Sequence, residues 1–250
     1  MTKSLKWIIV FLTPATLIFL FVYAIPIAIL FSTSFTEWSI GLAPRFIGIK
    51  NYIDLVTKDS DFIKASINTG LWILLQSTIH VALGVLCALI LARKKFYWKF
   101  TRTVYMLPNI VSSAALGMMF LMFFNPTFGA VNSFIRLIGD KNFGHNWFLS
   151  SNTAFFTVTL IWLPFAAHIT ILVLAEMSSI PASILEAAYI DGAGEFQTSV
   201  RIVLPLMHRI IGTSTLLAAT SMLQKLDVIM MTTSGGPGNT TLNLPMYVYE

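Results

Sequence analysis

Charge is what this sequence has least of. Only 11% of its 250 residues are Asp, Glu, Lys or Arg, against about 25% in an ordinary soluble domain. So few charges cannot solvate the surface of a water-soluble fold of this length, which excludes that class. Cysteine is nearly missing too. Cys87 stands alone inside an apolar run, so neither an internal disulfide nor a thiolate metal site can form within the chain. The histidines His80, His145, His168 and His208 include no i,i+4 pair, which removes the helical two-histidine metal motif, and no metal ligand set is expected. Gly235-Gly236-Pro237-Gly238 is glycine-rich, but no Gly-Lys-Ser/Thr follows it. It reads as a turn at a helix end rather than a phosphate loop. The triplet Asn239-Thr240-Thr241 matches a glycosylation acceptor, a pattern too common to carry weight.

Apolar side chains fill the space that charge leaves. They make up 56% of the chain, and the mean hydropathy is +0.77. A helix needs roughly 20 apolar residues to cross the hydrocarbon of a bilayer. Five segments qualify, at about Trp7–Phe35, Thr69–Ala92, Val104–Phe124, Thr153–Leu174 and Ile210–Thr233. The first four contain no charged residue, and the fifth holds Lys225 and Asp227. The expected fold is therefore an all-α polytopic membrane protein, with residues 1–250 forming a single transmembrane domain. The net charge of +5 is read as topology rather than as nucleic-acid binding, because the basic residues flank the apolar runs. Arg93, Lys94, Lys95, Lys99 and Arg102 crowd one short loop, which the positive-inside rule places in the cytoplasm. The N-terminus, with Lys3 and Lys6, then lies inside, as does 175–209, while 36–68 and 125–152 lie outside. The first run is too long for a cleaved signal, and no A-x-A-like site follows it, so it reads as a retained span. A short interfacial helix is expected within Asn51–Lys64. Pro14, Pro26, Pro108 and Pro164 fall in or at the ends of spans, where freed backbone groups must find new partners.

The most patterned stretch is the inner loop, about 176–205. Pro181 suits the first turn of a helix running to about Asp191. Gly192 and Gly194 allow a sharp reversal through positive φ. A second helix begins near Glu195, with Phe196, Val200, Val203 and Leu204 forming an apolar stripe closed by Pro205. The loop thus reads as two short helices joined at a glycine elbow. Glu186-Ala187-Ala188, Gly192 and then Ile202-Val203-Leu204-Pro205 resemble the Glu-Ala-Ala loop of permease subunits in binding-protein-dependent ABC importers. Phe128-Gly129 with Asn132, and Thr233-Ser234-Gly235-Gly236-Pro237, are similar to the carbohydrate-uptake branch, the relatives of the maltose permease subunits.

That resemblance implies an ABC-importer (MetI-like) permease fold in a bacterial or archaeal cell membrane, with five spans present of an expected six and a C-terminal span beyond Glu250. It implies a subunit that is not itself an enzyme. The expected partners are a second permease chain, two ATPase subunits that carry ATP and magnesium, and an extracytoplasmic solute-binding protein. Glu186, Ala187, Ala188, Asp191, Gly192 and Gly194 would then couple the permease to the ATPases. Two other readings fare worse. An ion-coupled secondary transporter should show an internal inverted repeat, and a membrane-embedded transferase should show paired carboxylates or a metal cluster; neither feature is evident. An importer for a non-sugar solute stays open.

Lys225 and Asp227 are costly inside a bilayer, so they are functional candidates by default. Two apart on an unbroken helix, they cannot pair. Ser221, Gln224 and Lys225, at i, i+3 and i+4, would share a polar face. The resemblance places sugar contacts near Gln224 and Lys225 on this span and near Asn109 and Ser113 on the third. Together these five residues suggest a path for a neutral, hydroxyl-rich ligand.

Overall fold

A computed structural model describes residues 3–39, 41–93, 96 and 98–250. Lys94 and Lys95 of the basic run lie outside the described residues. The chain divides into two compact units, residues 1–63 and 64–250.

The first unit opens with one apolar helix, Lys6–Thr33, of 28 residues. At 1.5 Å per residue it is about 42 Å long, more than the ~30 Å of a hydrocarbon core. The helix accommodates Pro26 locally. Pro26 would press on the carbonyl of Val22, four residues back, and the helix widens to a π-turn over Leu20–Ala24. Ahead of Pro14, Thr13 Oγ1 donates to Ile9 O at 2.7 Å. The loop that follows pairs two short antiparallel strands, Thr36–Glu37 and Arg45–Phe46. Asn51 Nδ2 ties it to the helix end by donating to Ser34 O at 2.9 Å and Thr36 O at 3.0 Å. A short helix, Lys50–Thr57, starts one residue before the expected interfacial stretch and covers its first half. It ends before Lys64 because Asp59 caps a new helix, accepting from the backbone N–H groups of Asp61 and Phe62.

That new helix is the second span. It runs from Ser60 to Ala92, 33 residues, and so begins nine residues before the expected Thr69. Hydropathy marks where lipid contact starts, whereas the Asp59 cap decides where the helix starts. The third span is not a straight rod. Trp98–Asn109 and Ser113–Phe123 meet at 98°. Leu107–Asn109 tightens to a 3₁₀ turn around Pro108, and Ser112 restarts the helix by accepting from Ala115 N. The fourth span, Ala154–Met177, opens at Leu163–Ala166, beside Pro164. The fifth apolar run is also broken. His208–Met222 is one helix, and after an interruption Asp227–Thr232 forms another. Glu195–Leu206 leads into His208–Met222 at 71°. Among the described residues, three helices are long and apolar enough to cross a membrane, or five if each bent pair counts as one span.

The core of the second unit falls into two clusters. One gathers Trp72, Phe124, Ile161, Trp162, Met222 and Ile229; the other gathers Val81, Val85, Ala88, Ile169, Val173 and Met207. Small residues let the second and fourth spans meet closely. A Cβ on Gly84 would lie 2.7 Å from Ile169 Cγ2, and Thr170 Oγ1 donates to Gly84 O at 3.0 Å. The Phe128-Gly129 and Asn132 motif also has a structural reason. A side chain on Gly129 would overlap the Asn125 backbone. Asn132 is fully buried, donating to His145 O at 2.8 Å and Pro126 O at 3.1 Å and accepting from Trp147 Nε1 at 2.7 Å. It pins the outer loop to itself.

Candidate functional site: a walled cavity and an exposed elbow

The opening of the fourth span organises the first site. Without helical partners, the carbonyls of Leu163, Pro164 and Phe165 must be satisfied from other elements. Three side chains do this. His80 Nδ1 donates to Leu163 O at 2.8 Å, Tyr105 Oη donates to Pro164 O at 3.3 Å, and Asn109 Nδ2 donates to Phe165 O at 3.2 Å. Tyr105 Oη also accepts from Ala166 N at 3.1 Å. His80 comes from a π-turn in the second span, Gln76–His80. Tyr105 and Asn109 come from the bent third span. Three helix irregularities therefore lock together through side chains.

They border a partly open cavity of about 170 Å³, lined on its polar side by Gln76, His80, Asn109, Ser113, His168, Ser221 and Lys225, and on its apolar side by residues such as Ile161, Trp162 and Phe165. The rings of His80 and His168 lie 5.4 Å apart. Lys225 Nζ sits 5.7 Å from the centroid of the Trp162 ring, within cation–π range. The break in the fifth run places this lysine. Asn243 Nδ2 donates to Lys225 O at 2.6 Å, satisfying a carbonyl left by the interruption.

Asn109, Ser113, Ser221 and Lys225 thus border one space, while Gln224 is exposed and does not line it. The single-face expectation for Ser221, Gln224 and Lys225 fails because the helix ends at Met222. Gln76, His80 and Trp162 were not singled out from the sequence. Gln76 and His80 did carry a signal, being polar groups in an otherwise apolar span.

The second site is the elbow. Pro181 stands as the N-cap, one position before the expected first turn, and the helix covers Ala182–Ile190. It ends in a Schellman motif, with Ala193 N donating to Ala188 O at 2.9 Å and Gly192 N to Tyr189 O at 3.1 Å. Gly192 has φ +81°. Gly194 has φ −70° as the N-cap of the next helix, so only one of the two glycines needs conformational freedom. The expected apolar stripe also divides. Val203 is buried, but Phe196 is exposed and a π-turn occupies Ser199–Val203. Pro205 sits inside the following helical turn rather than closing the helix.

Glu186, Ala187, Asp191, Gly192 and Gly194 are exposed, whereas Ala188 is buried and packs inward. Tyr189, Ile190 and Phe196 add exposed apolar surface on either side of the turn. Glu195 Oε2 lies 2.8 Å from Arg93 Nη1, so the elbow is anchored to the end of the second span. This ion pair puts the basic loop and the elbow at the same end of the unit, in keeping with a shared cytoplasmic side. Among the described residues, no group of three His, Cys, Asp or Glu is placed to hold a metal ion.

Comparison with known proteins agrees with this architecture. The family model described as the inner membrane component of binding-protein-dependent transport systems matches residues 80–249. A sulfoquinovosyl glycerol transport system permease protein of Agrobacterium fabrum is 32% identical over 247 residues, covering 97% of this chain and 79% of that protein. A multiple sugar-binding transport system permease protein of Streptococcus mutans is 34% identical over 221 residues, covering 87% of this chain and 74% of that protein. The fold matches a crystal structure of a bacterial alginate ABC transporter in complex with an alginate pentasaccharide-bound periplasmic protein. The TM-score is 0.82 at 22% identity, over 99% of this chain and 83% of that one. The chain belongs to the family of multi-pass inner membrane components of binding-protein-dependent transport systems.

Proposed function

We propose that this chain forms, with a second permease chain, the path along which a sugar or oligosaccharide is imported by alternating access. Two ATPase subunits bind ATP and magnesium and drive the cycle, and an extracytoplasmic binding protein delivers the substrate. The relatives named for sulfoquinovosyl glycerol and for multiple sugars support a carbohydrate. The observation that carries the reading is the pairing of a polar cavity, walled where helices break, with an exposed elbow closed by a Schellman motif. Broken helices at membrane depth are tolerated where they line a cavity. A compact elbow offers an ATPase groove a rigid knob, with Glu186 and Asp191 as its exposed charges and Tyr189, Ile190 and Phe196 as its apolar contacts. Ala188 contributes by packing the elbow against its own chain.

The test is uptake by proteoliposomes holding the assembled transporter and its binding protein. Labelled sugar should accumulate with internal ATP and not with an imposed ion gradient alone. Gradient-driven accumulation without ATP would overturn the ATP-driven reading. ATP hydrolysis that responds to the loaded binding protein while no carbohydrate accumulates would overturn the sugar reading.

A further inference from the structure

Five buried side-chain polar atoms among the described residues lack a hydrogen-bond partner. Three of them, Gln76 Oε1, His80 Nε2 and Trp162 Nε1, belong to residues that line the one cavity described above. A buried polar atom that nothing meets is costly, because it has given up water without a replacement. Gln76 and His80 are 3% and 2% exposed, so neither can rotate to bulk solvent. This concentration of polar groups that the chain itself does not satisfy is what a ligand-binding surface presents.

The chemistry of the lining narrows the ligand. A carbonyl can only accept, so His80 Nδ1 carries a hydrogen and donates it to Leu163 O. Nε2 is the atom left over. Gln76 Oε1 accepts, Trp162 Nε1 donates, Ser113 can do either, and Ser221, which donates to Ala218 O at 2.7 Å, can still accept. Such a mixture suits ring hydroxyls. Charge is distributed differently. Lys225 is the one Lys or Arg in the lining, two histidines stand near it, and the lining contains no Asp or Glu. Asp227, the carboxylate nearest Lys225 in sequence, is exposed and outside the lining. Among the described residues no carboxylate forms an ion pair with Lys225. Its ammonium lies against the Trp162 ring face, and Asp227 acts on it only at a distance, without an ion pair. A neutral sugar would leave that cation without a contact ion pair, in a setting of low dielectric where unpaired charge is most costly.

We infer that the cavity seats a sugar ring bearing an acidic group, with the anion against Lys225 and the ring hydroxyls against Gln76, His80 and Trp162. The inference rests on the proposed carbohydrate function and departs from the neutral ligand expected from sequence. The cavity, of about 170 Å³ and partly open, is read as the seat of a single ring. A longer chain would pass ring by ring.

The test uses the assembled transporter in proteoliposomes, with matched pairs of labelled probes: galacturonate against galactose, and digalacturonate against a neutral disaccharide of equal length. Equilibrium binding of each probe to the detergent-solubilised assembly without the binding protein isolates the cavity's own preference. In the parent protein the acidic member of a pair should bind at least tenfold more tightly. Lys225→Gln should cut the acidic-to-neutral binding ratio about tenfold, and Lys225→Arg should restore most of it. Retention of the ATPases on both variants confirms that they fold. Equal binding of acidic and neutral probes by the parent, or an unchanged ratio in Lys225→Gln, overturns the acidic-ligand inference while carbohydrate import stands. Failure to bind or import any carbohydrate of either charge, in an assembly that hydrolyses ATP, overturns both.

Discussion

Gly192 gives the sharpest test of the elbow, because its neighbour Gly194 supplies an internal control. Gly192 has φ +81°, and a Cβ placed there would meet nothing within 4 Å. The cost of Gly192→Ala is therefore backbone strain without a clash, about 1–2 kcal/mol for an L-residue in the left-handed region. That shifts the balance between the closed Schellman elbow and an opened one by about five- to thirtyfold. Gly194 is equally open but has φ −70°. An Ala is at ease there and should be neutral, or stabilising by about 0.4–1 kcal/mol through the unfolded chain. Titrating the purified ATPase onto the permease pair in nanodiscs reads the difference. Gly192→Ala should weaken ATPase binding about five- to thirtyfold and lower uptake in step, while Gly194→Ala stays near the parent. Indistinguishable binding and uptake in the two variants would refute the claim that the elbow's conformation carries the coupling.

Three further outcomes follow from the packing. Gly84→Leu should destabilise the second unit, because even its Cβ would fall 2.7 Å from Ile169 Cγ2; overpacking of this kind costs about 1–3 kcal/mol and should appear as a lower thermal midpoint, which Gly212→Leu, in open space, should not show. Asn132→Leu orphans Trp147 Nε1 and weakens the hold on the His145 carbonyl, at about 1–3 kcal/mol per buried group; hydrogen exchange should speed up across the outer loop while the elbow stays unchanged. In a Cys87→Ser background, cysteines at Lys58 and Lys99 should react with an impermeant thiol reagent from opposite faces of the membrane, and labelling from the same face would overturn the topology.

Much of the architecture was legible before any coordinates. The spans could be read because charge in hydrocarbon is so costly that its absence marks them. The elbow could be read because Pro181, Gly192 and Glu195 each have one cheap place in a helix–turn–helix. Where the reading slipped, the cause was local. The second span begins at the Asp59 cap rather than where hydropathy rises, and Gly194 is an ordinary N-cap.

The cavity could not be read in this way. A linear sequence shows that Pro108 and Pro164 disturb their helices, but not that Asn109, Tyr105 and His80 reach the carbonyls opened at Leu163–Phe165. It shows Lys225 in an apolar run, yet the assumption of a continuous helix assigned Gln224 to the same face. Helical periodicity follows from the sequence only while the helix lasts, and the break after Met222 is secured by Asn243, 18 residues beyond Lys225. The sequence by itself determined the solvent of each segment and the form of the elbow, because both depend on residues close together in the chain. Only the tertiary structure decided which polar side chains face one another, because that depends on where distant helix breaks meet.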